Sequence, residues 1–242
     1  MELTAKAAES GSSAAGEALA LLAPAAEGPR AQAAAVDLAA WLAPPPPRML
    51  SSSPHVLTVP GFLEPRLCRA LIDRARPRLG RAQVYGAATG AGVVEEARSN
   101  SAASMGLEHT DLMLVLLRER IARLAGLPVA GLEPTQILHY GVGQAFDWHV
   151  DYLDAGDPAT AGDLAARGQR IATTLVLLNA DFEGGETGFS ATGARYRCGE
   201  GDALLWANVT PDGRADPRSR HAGLPPTRGE KWVLSQWLRP RR

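Results

Sequence analysis

Cysteine is nearly absent: Cys68 and Cys198 are the only two in 242 residues, and they lie 130 positions apart. That excludes a disulfide framework and a thiolate metal site and leaves both as small core residues. Lysine is as scarce. Of 25 basic residues only Lys6 and Lys231 are lysine, so a lysine kept in the main part of the chain stands against the chain's own preference. Neither sign of charge dominates, and a formal net charge of −1 lacks the footprint of a nucleic-acid binder. The basic residues gather only at Arg239, Arg241 and Arg242, so no nucleic-acid partner is expected. Long hydrophobic runs are missing too; nothing approaches the roughly 18 apolar residues of a spanning helix. Met1 to Ser13 carries Glu2, Lys6 and Glu9 in place of the basic start and apolar core of a leader, so the expectation is a cytoplasmic protein with no membrane partner.

What is present divides into two textures. Residues 1–43 hold 17 alanines, with Leu19, Leu22, Val36 and Trp41 among the larger apolar side chains. Alanine is the best helix former, so this stretch reads as two short helices broken near Pro24 and Gly28-Pro29. Pro44 to Pro47 stops the helix and stiffens a linker. The expected division is therefore an Ala-rich helical appendage with its Pro linker over 1–47 and a main domain over 48–242.

In the main domain, Val56 to Val59 reads as a strand and Glu64 to Leu79 as a helix. Asp111 is placed to cap a second helix that ends at Gly126-Leu127-Pro128. Gly86 to Ser104, rich in glycine, alanine and serine, reads as a mobile loop. From Thr135 onward short apolar runs separated by turn residues take over: Gln136–Tyr140, Phe146–Val150, Ile171–Asn179, Tyr196, Ala203–Trp206 and Trp232–Leu238. Many short strands without intervening helices argue for a mainly β sandwich or barrel, with the earlier helices buttressing one sheet. Gly184-Gly185 and Gly199 to Gly201 have no helix after them and serve as turns, not as a phosphate cradle.

The chemistry lies in four residues. His149 and Asp151 are two apart, so on a strand they share a face. With His221 they can supply two imidazoles and one carboxylate to a single metal, a set that leaves positions open and is the facial pattern of non-haem Fe(II) oxygenases. Taken alone, a His-x-Asp pair is ordinarily a hydrogen-bonded surface pair and His221 a solvated loop histidine. His55, His109 and His139 have no such partner pattern.

The surrounding blocks decide between these readings. Gln136-Ile-Leu-His-Tyr140-Gly, His149-Val-Asp151, Gln169-Arg170-Ile-Ala-Thr173, Leu178-Asn179, Phe182-Glu-Gly184-Gly185-Glu186-Thr187, Gly201-Asp202-Ala-Leu-Leu-Trp206, His221-Ala-Gly223 and Gly229-Glu-Lys231-Trp232 stand in order. Together they resemble the prolyl 4-hydroxylase-like branch of the 2-oxoglutarate- and Fe(II)-dependent oxygenases. Leu117 to Pro128 and Arg98-Ser99-Asn100-Ser101 also look like that branch, and the likeness runs over about residues 55–240.

The resemblance implies a double-stranded β-helix, a jelly roll with supporting helices on one sheet. It implies His149, Asp151 and His221 as iron ligands and Lys231 as the cation for the distal carboxylate of 2-oxoglutarate, a compact charge suited to a pairing inside a barrel. Tyr140 and Thr173 match positions whose hydroxyls bond that cosubstrate. Trp237 matches an aromatic near the pocket, with core packing as its alternative, as for Trp148, Trp206 and Trp232. The keto acid and O2 would take the open positions, decarboxylation would give succinate and CO2, and a substrate C–H bond would be hydroxylated with ascorbate as reductant. Related halogenases have Gly or Ala at the carboxylate position, so Asp151 implies hydroxylation.

The implied substrate is a prolyl residue in a peptide or protein. A hydroxylase of a free amino acid or natural-product intermediate stays open, as does a binding module without turnover, although a full set of His149, Asp151, His221 and Lys231 argues against the latter. Arg98, Arg170, Arg214, Arg218 and Arg220 are placed to rim the pocket, Arg98 and Arg170 foremost. Gly86–Ser104 and Tyr152–Gly168 are expected as lid segments.

Overall fold

The computed structural model describes residues 1–81, 84, 85, 92, 93, 98–106 and 110–240. His109, Arg241, Arg242 and residues 86–91 and 94–97 of the expected Gly86–Ser104 loop lie outside the described residues. The helices are α1 (Glu2–Glu9), α2 (Ser13–Leu22), α3 (Pro29–Ala35), α4 (Leu38–Leu42), α5 (Pro65–Ala75), α6 (Leu112–Ala125) and α7 (Pro158–Arg167). The strands are β1 (Arg48–Ser52), β2 (His55–Val59), β3 (Gly80–Arg81), β4 (Val84–Tyr85), β5 (Gly92–Val93), β6 (Ser101–Met105), β7 (Thr135–Tyr140) and β8 (Phe146–His149). They continue with β9 (Ala172–Leu177), β10 (Glu183–Gly184), β11 (Thr187–Phe189), β12 (Arg195–Tyr196), β13 (Ala203–Ala207), β14 (His221–Gly223), β15 (Pro226–Arg228) and β16 (Lys231–Leu238). Among the described residues no helix is long and apolar enough to cross a membrane.

The chain forms two compact units, Met1–Pro44 with Gly106–Val129, and Pro45–Met105 with Ala130–Arg242. In the first, the alanine-rich stretch makes four helices where the sequence suggested two. The extra break falls at Gly11 (φ 95°) and Ser12, whose hydroxyl accepts from the Ala15 amide; a second cap is Asp37, which accepts from Ala40. Flanking alanine hid both breaks, because propensity is uniform across them. Ala5, Leu19 and Ala33 pack together. Helix α6 belongs to this unit, with the Arg120 guanidinium 5.4 Å over the Trp41 ring.

The second unit is the sandwich. Its large antiparallel sheet runs β1-β2-β13-β9-β16-β7-β6-β3, and the small sheet runs β12-β11-β14-β8. Strand β16 lies near the middle, between β9 and β7, and almost every one of its residues is buried. A strand covered on both faces reads as a continuous apolar run, which is why KWVLSQWL shows little alternation. The sheets meet over Val56, Leu204 and Trp206 from one and Phe189 from the other, and α5 packs on β6 and β7. This is the expected jelly roll with a helix on its large sheet.

One expectation is corrected, and a second segment gains a helix. The end of the Gly86–Ser104 segment is strand β6, paired to β7 along its length; its small residues fit under neighbours, as Ala103 at 1% exposure shows, and smallness had read as looseness. Tyr152–Gly168, expected as a lid segment, carries a helix over its second half. Asp157 accepts from the Ala159 amide and Pro158 opens α7, the arrangement that starts a helix. Strands β11 and β14 were missed because three residues show no period.

Candidate active site

The site is built across the small sheet. His149 ends β8, His221 begins β14, and the two are register partners on adjacent antiparallel strands. Asp151 follows two residues after His149 and is 4% exposed. Its Oδ1 is 3.6 Å from His149 Nε2 and its Oδ2 is 3.5 Å from His221 Nε2. Phe146 stacks on the His149 ring at 3.5 Å, and Trp206 meets the His221 ring at 4.6 Å.

Both imidazoles are oriented the same way. His149 Nδ1 donates to the Asp147 carbonyl at 2.6 Å and His221 Nδ1 to the Ser219 carbonyl at 2.9 Å. A carbonyl only accepts, so Nδ1 carries a proton in each ring and Nε2 is the nitrogen turned toward the Asp151 carboxylate. Burial, with His221 alongside, holds His149 down to about 3, so its ring is neutral. Burial pushes the Asp151 carboxyl up, and His221, His149 and the Thr173 hydrogen bond together outweigh it and hold the group below its ordinary value.

Two imidazole nitrogens and a buried carboxylate thus face one common point, as the ligands of a bound metal ion do. The three ligand atoms lie within 4.8 Å of one another, and two imidazoles with one carboxylate suit a divalent first-row transition metal. The donor set therefore fits the metal that the sequence implied.

Behind the three residues lies a cavity of about 440 Å³ lined by Tyr140, Thr173, Thr187, Trp206, Lys231 and Val233, among others. Lys231 and Tyr140 are register partners on β16 and β7. The lysine is 3% exposed; its Nζ donates to the Gly185 carbonyl at 2.6 Å and lies 5.1 Å from the Tyr140 ring centroid. No carboxylate stands within ion-pair distance of it among the described residues. Burial pushes it down to about 8, against the pull of Cys198 and Glu186. Tyr140 is raised to about 12 by burial, with Arg98 opposing, and its hydroxyl has no hydrogen-bond partner among the described residues.

Thr173 has a different partner from the one expected. Its hydroxyl donates to Asp151 Oδ2 at 2.6 Å and accepts from Asn208 Nδ2 at 2.8 Å. A hydroxyl the sequence reading passed over, that of Thr187, lines the cavity beside Lys231; the Glu183-Gly-Gly-Glu-Thr187 block was its signal.

In front of the histidines opens a groove of about 1610 Å³ whose lining includes Arg98, Phe146, Trp148, Asp154, Arg170 and Trp237. Of the five arginines expected at the rim, only Arg98 and Arg170 are there, and both are engaged. Arg98 is 2% exposed, donates to Asn100 Oδ1 at 3.0 Å and lies 4.5 Å over Phe146. Arg170 pairs with Glu133 and stacks on Trp237 at 3.8 Å. Arg214 and Arg218 pair locally with Asp212 and Asp216, and Arg220 reaches the Trp148 carbonyl. His139 lies apart, bonded to Glu230 at 2.8 Å. Cys68 is a core residue whose thiol burial raises to about 12.

Comparison with known proteins agrees with this geometry. Residues 135–239 match the model of the 2OG-Fe(II) oxygenase superfamily. Prolyl 4-hydroxylase 1 of Arabidopsis thaliana is 35% identical over 209 residues, covering 80% of this chain and 71% of that protein. Prolyl 4-hydroxylase subunit alpha-1 of Rattus norvegicus is 36% identical over 170 residues, covering 70% of this chain and 31% of that longer protein. The fold is also that of the viral collagen prolyl hydroxylase of Paramecium bursaria Chlorella virus-1 in its 2OG complex, with TM-score 0.59 at 23% identity over 77% of this chain and 96% of that one. The chain belongs to the 2-oxoglutarate- and Fe(II)-dependent oxygenase superfamily, in its prolyl 4-hydroxylase-like branch.

Proposed function

We propose that this protein hydroxylates a prolyl residue in a peptide or protein, with the oxygenase domain spanning 48–242 and the helical appendage 1–47. The observation that carries the reading is the pairing of one donor set with one buried cation. His149, Asp151 and His221 converge on a point, and Lys231 stands buried in the adjoining cavity without a counter-anion. His149, Asp151 and His221 would hold Fe(II); Lys231, with the Tyr140 and Thr187 hydroxyls, would receive the keto acid.

When bound, the iron would supply the oxidising chemistry with O2 as oxidant, one oxygen atom ending in succinate as the keto acid loses CO2 and the other in the hydroxyl formed at a substrate C–H bond. The protein's share is placement and exclusion of water. The Lys231 ammonium meets the distal carboxylate where loss of water strengthens the pairing. Thr173 holds the Asp151 carboxylate in place, and the Asp147 and Ser219 carbonyls keep the Nε2 atoms of both histidines inward. Ascorbate is the proposed reductant for iron oxidised in turnovers without substrate.

The groove supports a peptide over a free amino acid. It is wide, it displays Trp148 at 41% exposure, and its arginines Arg98 and Arg170 already have partners, whereas a free amino acid needs a cation for its own carboxylate. The test is a panel of proline-containing peptides and free amino acids incubated with Fe(II), 2-oxoglutarate and ascorbate. Succinate release matched by the mass gain of one oxygen atom in a proline peptide is expected. Hydroxylation confined to free amino acids would overturn the peptide reading.

A further inference from the structure

A buried chain of alternating charges runs from the wall of the groove inward, and no step of the reaction uses it. Glu133 is 8% exposed and accepts from Arg170 at 2.7 and 3.0 Å and from Arg239 at 2.6 Å. Arg239 in turn donates to the Gly168 carbonyl at 2.5 Å and to Asp163 Oδ2 at 2.7 Å. The other oxygen of Asp163 takes the Arg167 guanidinium. The Arg239 and Asp163 side chains are 3% and 5% exposed.

The two ends of this chain both reach the groove. At one end the Arg170 guanidinium lies over the ring of Trp237, which lines the groove and the inner cavity alike. At the other end Asp163 sits on α7, whose Thr160 and Arg167 line the groove together with Asp157 at its N-cap. The middle is pinned by backbone. The Glu133 amide donates to the Trp237 carbonyl at 3.1 Å and Arg239 to Gly131 at 2.8 Å. A Cβ on Gly131 would lie 2.1 Å from the Arg239 carbonyl. Buried ion pairs add little net stability compared with apolar packing of the same volume, so what such a chain fixes is relative position.

We propose that Arg239 and Asp163 are positioning residues for substrate. The chain Arg170–Glu133–Arg239–Asp163 latches α7 as a fixed wall of the groove, in register with Trp237, so the segment after the metal-binding strand is a wall and not a lid. The proposal rests on the reading of the groove as the seat of the peptide. Neither Asp163 nor Arg239 lines the groove or the inner cavity, so loosening the latch disturbs peptide binding and leaves keto-acid binding alone.

Asp163→Asn removes the charge that holds α7 and keeps the shape. The expected result is a roughly tenfold to hundredfold rise in peptide KM, the scale at which small displacements act from a distance, with KM for 2-oxoglutarate unchanged. Hydrogen exchange should quicken over 158–168 and stay unchanged in β7, β9 and β16. Asp163→Glu, which restores the charge, should recover most of the peptide KM. An unchanged peptide KM despite faster exchange in α7 would overturn the proposal, as would a joint rise of both KM values with protection lost throughout the strands. If the wild type turns over no proline peptide, the proposed function falls, and the latch is still decided by exchange: equal protection of 158–168 in wild type and Asp163→Asn overturns it.

Discussion

Thr173 donates its hydroxyl proton to Asp151 at 2.6 Å, from a strand of the large sheet to a residue carried by the small one. The contact ties the two layers at the point where the metal would be held. Asn208, on the turn after β13, donates in turn to the Thr173 oxygen, so the hydroxyl has no freedom to rotate away. The carboxylate is therefore presented to the Nε2 atoms of both histidines before any metal arrives.

Thr173→Val keeps the size and removes the donor. The Asp151 carboxylate then loses its fixed orientation, and Fe(II) affinity should fall about 10- to 100-fold, the usual consequence of deleting a hydrogen bond to a metal ligand. Thr173→Ser should stay near wild type. Anaerobic Fe(II) titration of the three proteins reads this directly, and equal affinity in Thr173→Val would show that Asp151 is oriented by something else.

Asp151→Gly removes the one carboxylate that faces the two imidazoles among the described residues. Hydroxylation should be abolished, while keto-acid binding, if Lys231 anchors it as proposed, should persist at reduced iron occupancy. Product formation followed by mass spectrometry checks the first expectation, and 2-oxoglutarate titration at saturating Fe(II) checks the second.

Much of this was legible in the sequence because the informative residues sit in blocks with fixed spacing. His149, Asp151, His221 and Lys231 converge, although 72 residues separate the two histidines. Side-chain partners were less legible. Thr173 and Arg170 lie in recognisable blocks, yet their hydrogen bonds go to Asp151 and Glu133, which depends on how strands from two sheets are brought together. The sequence also misjudged small residues. Ala102 and Ala103 read as loop and are strand, and the helix over 158–167 went unread, because period and propensity are weak signals where the packing neighbour is distant in sequence.

Gly201 shows what one missing side chain permits. Its φ is 80°, and a Cβ there would lie 2.0 Å from the Leu63 carbonyl oxygen, while the Leu63 amide donates to the Gly201 carbonyl at 2.8 Å. Gly201→Ala meets both a left-handed backbone and a backbone clash, so destabilisation of at least about 2 kcal/mol is expected. Thermal unfolding should show a drop of several degrees, and an unchanged Tm would mean that this approach is looser than the structure shows.

Lys231 lends itself to two tests that share one cause. If its ammonium pairs with the distal carboxylate of the keto acid, Lys231→Ala leaves that anion buried and unpaired, at a cost of about 3–5 kcal/mol. Keto-acid affinity should then fall by roughly 10² to 10³ or more. Lys231→Arg should lose less, because the charge remains but the planar fork does not occupy a lysine's place without rearrangement. Iron affinity should change little, and charge-transfer absorbance of the anaerobic Fe(II) enzyme separates the two constants.

The pH dependence follows from burial, which holds the free lysine down to about 8, below its ordinary value of about 10.4. Only the protonated amine pairs with a carboxylate, so affinity should be flat below pH 8 and fall by up to about tenfold per pH unit above it. Stability of the free protein should move the other way. Between pH 8 and about 10.4 the unfolded chain holds the proton that the folded one has released, so this residue's contribution to stability rises with pH across that window. A neutral Lys231→Met, stable because nothing charged is buried, should therefore lose its Tm advantage over wild type as pH climbs past 8. A keto-acid affinity independent of pH up to 10 would place the anchoring cation elsewhere, and Arg98 is the buried guanidinium nearest to hand on the same cavity wall.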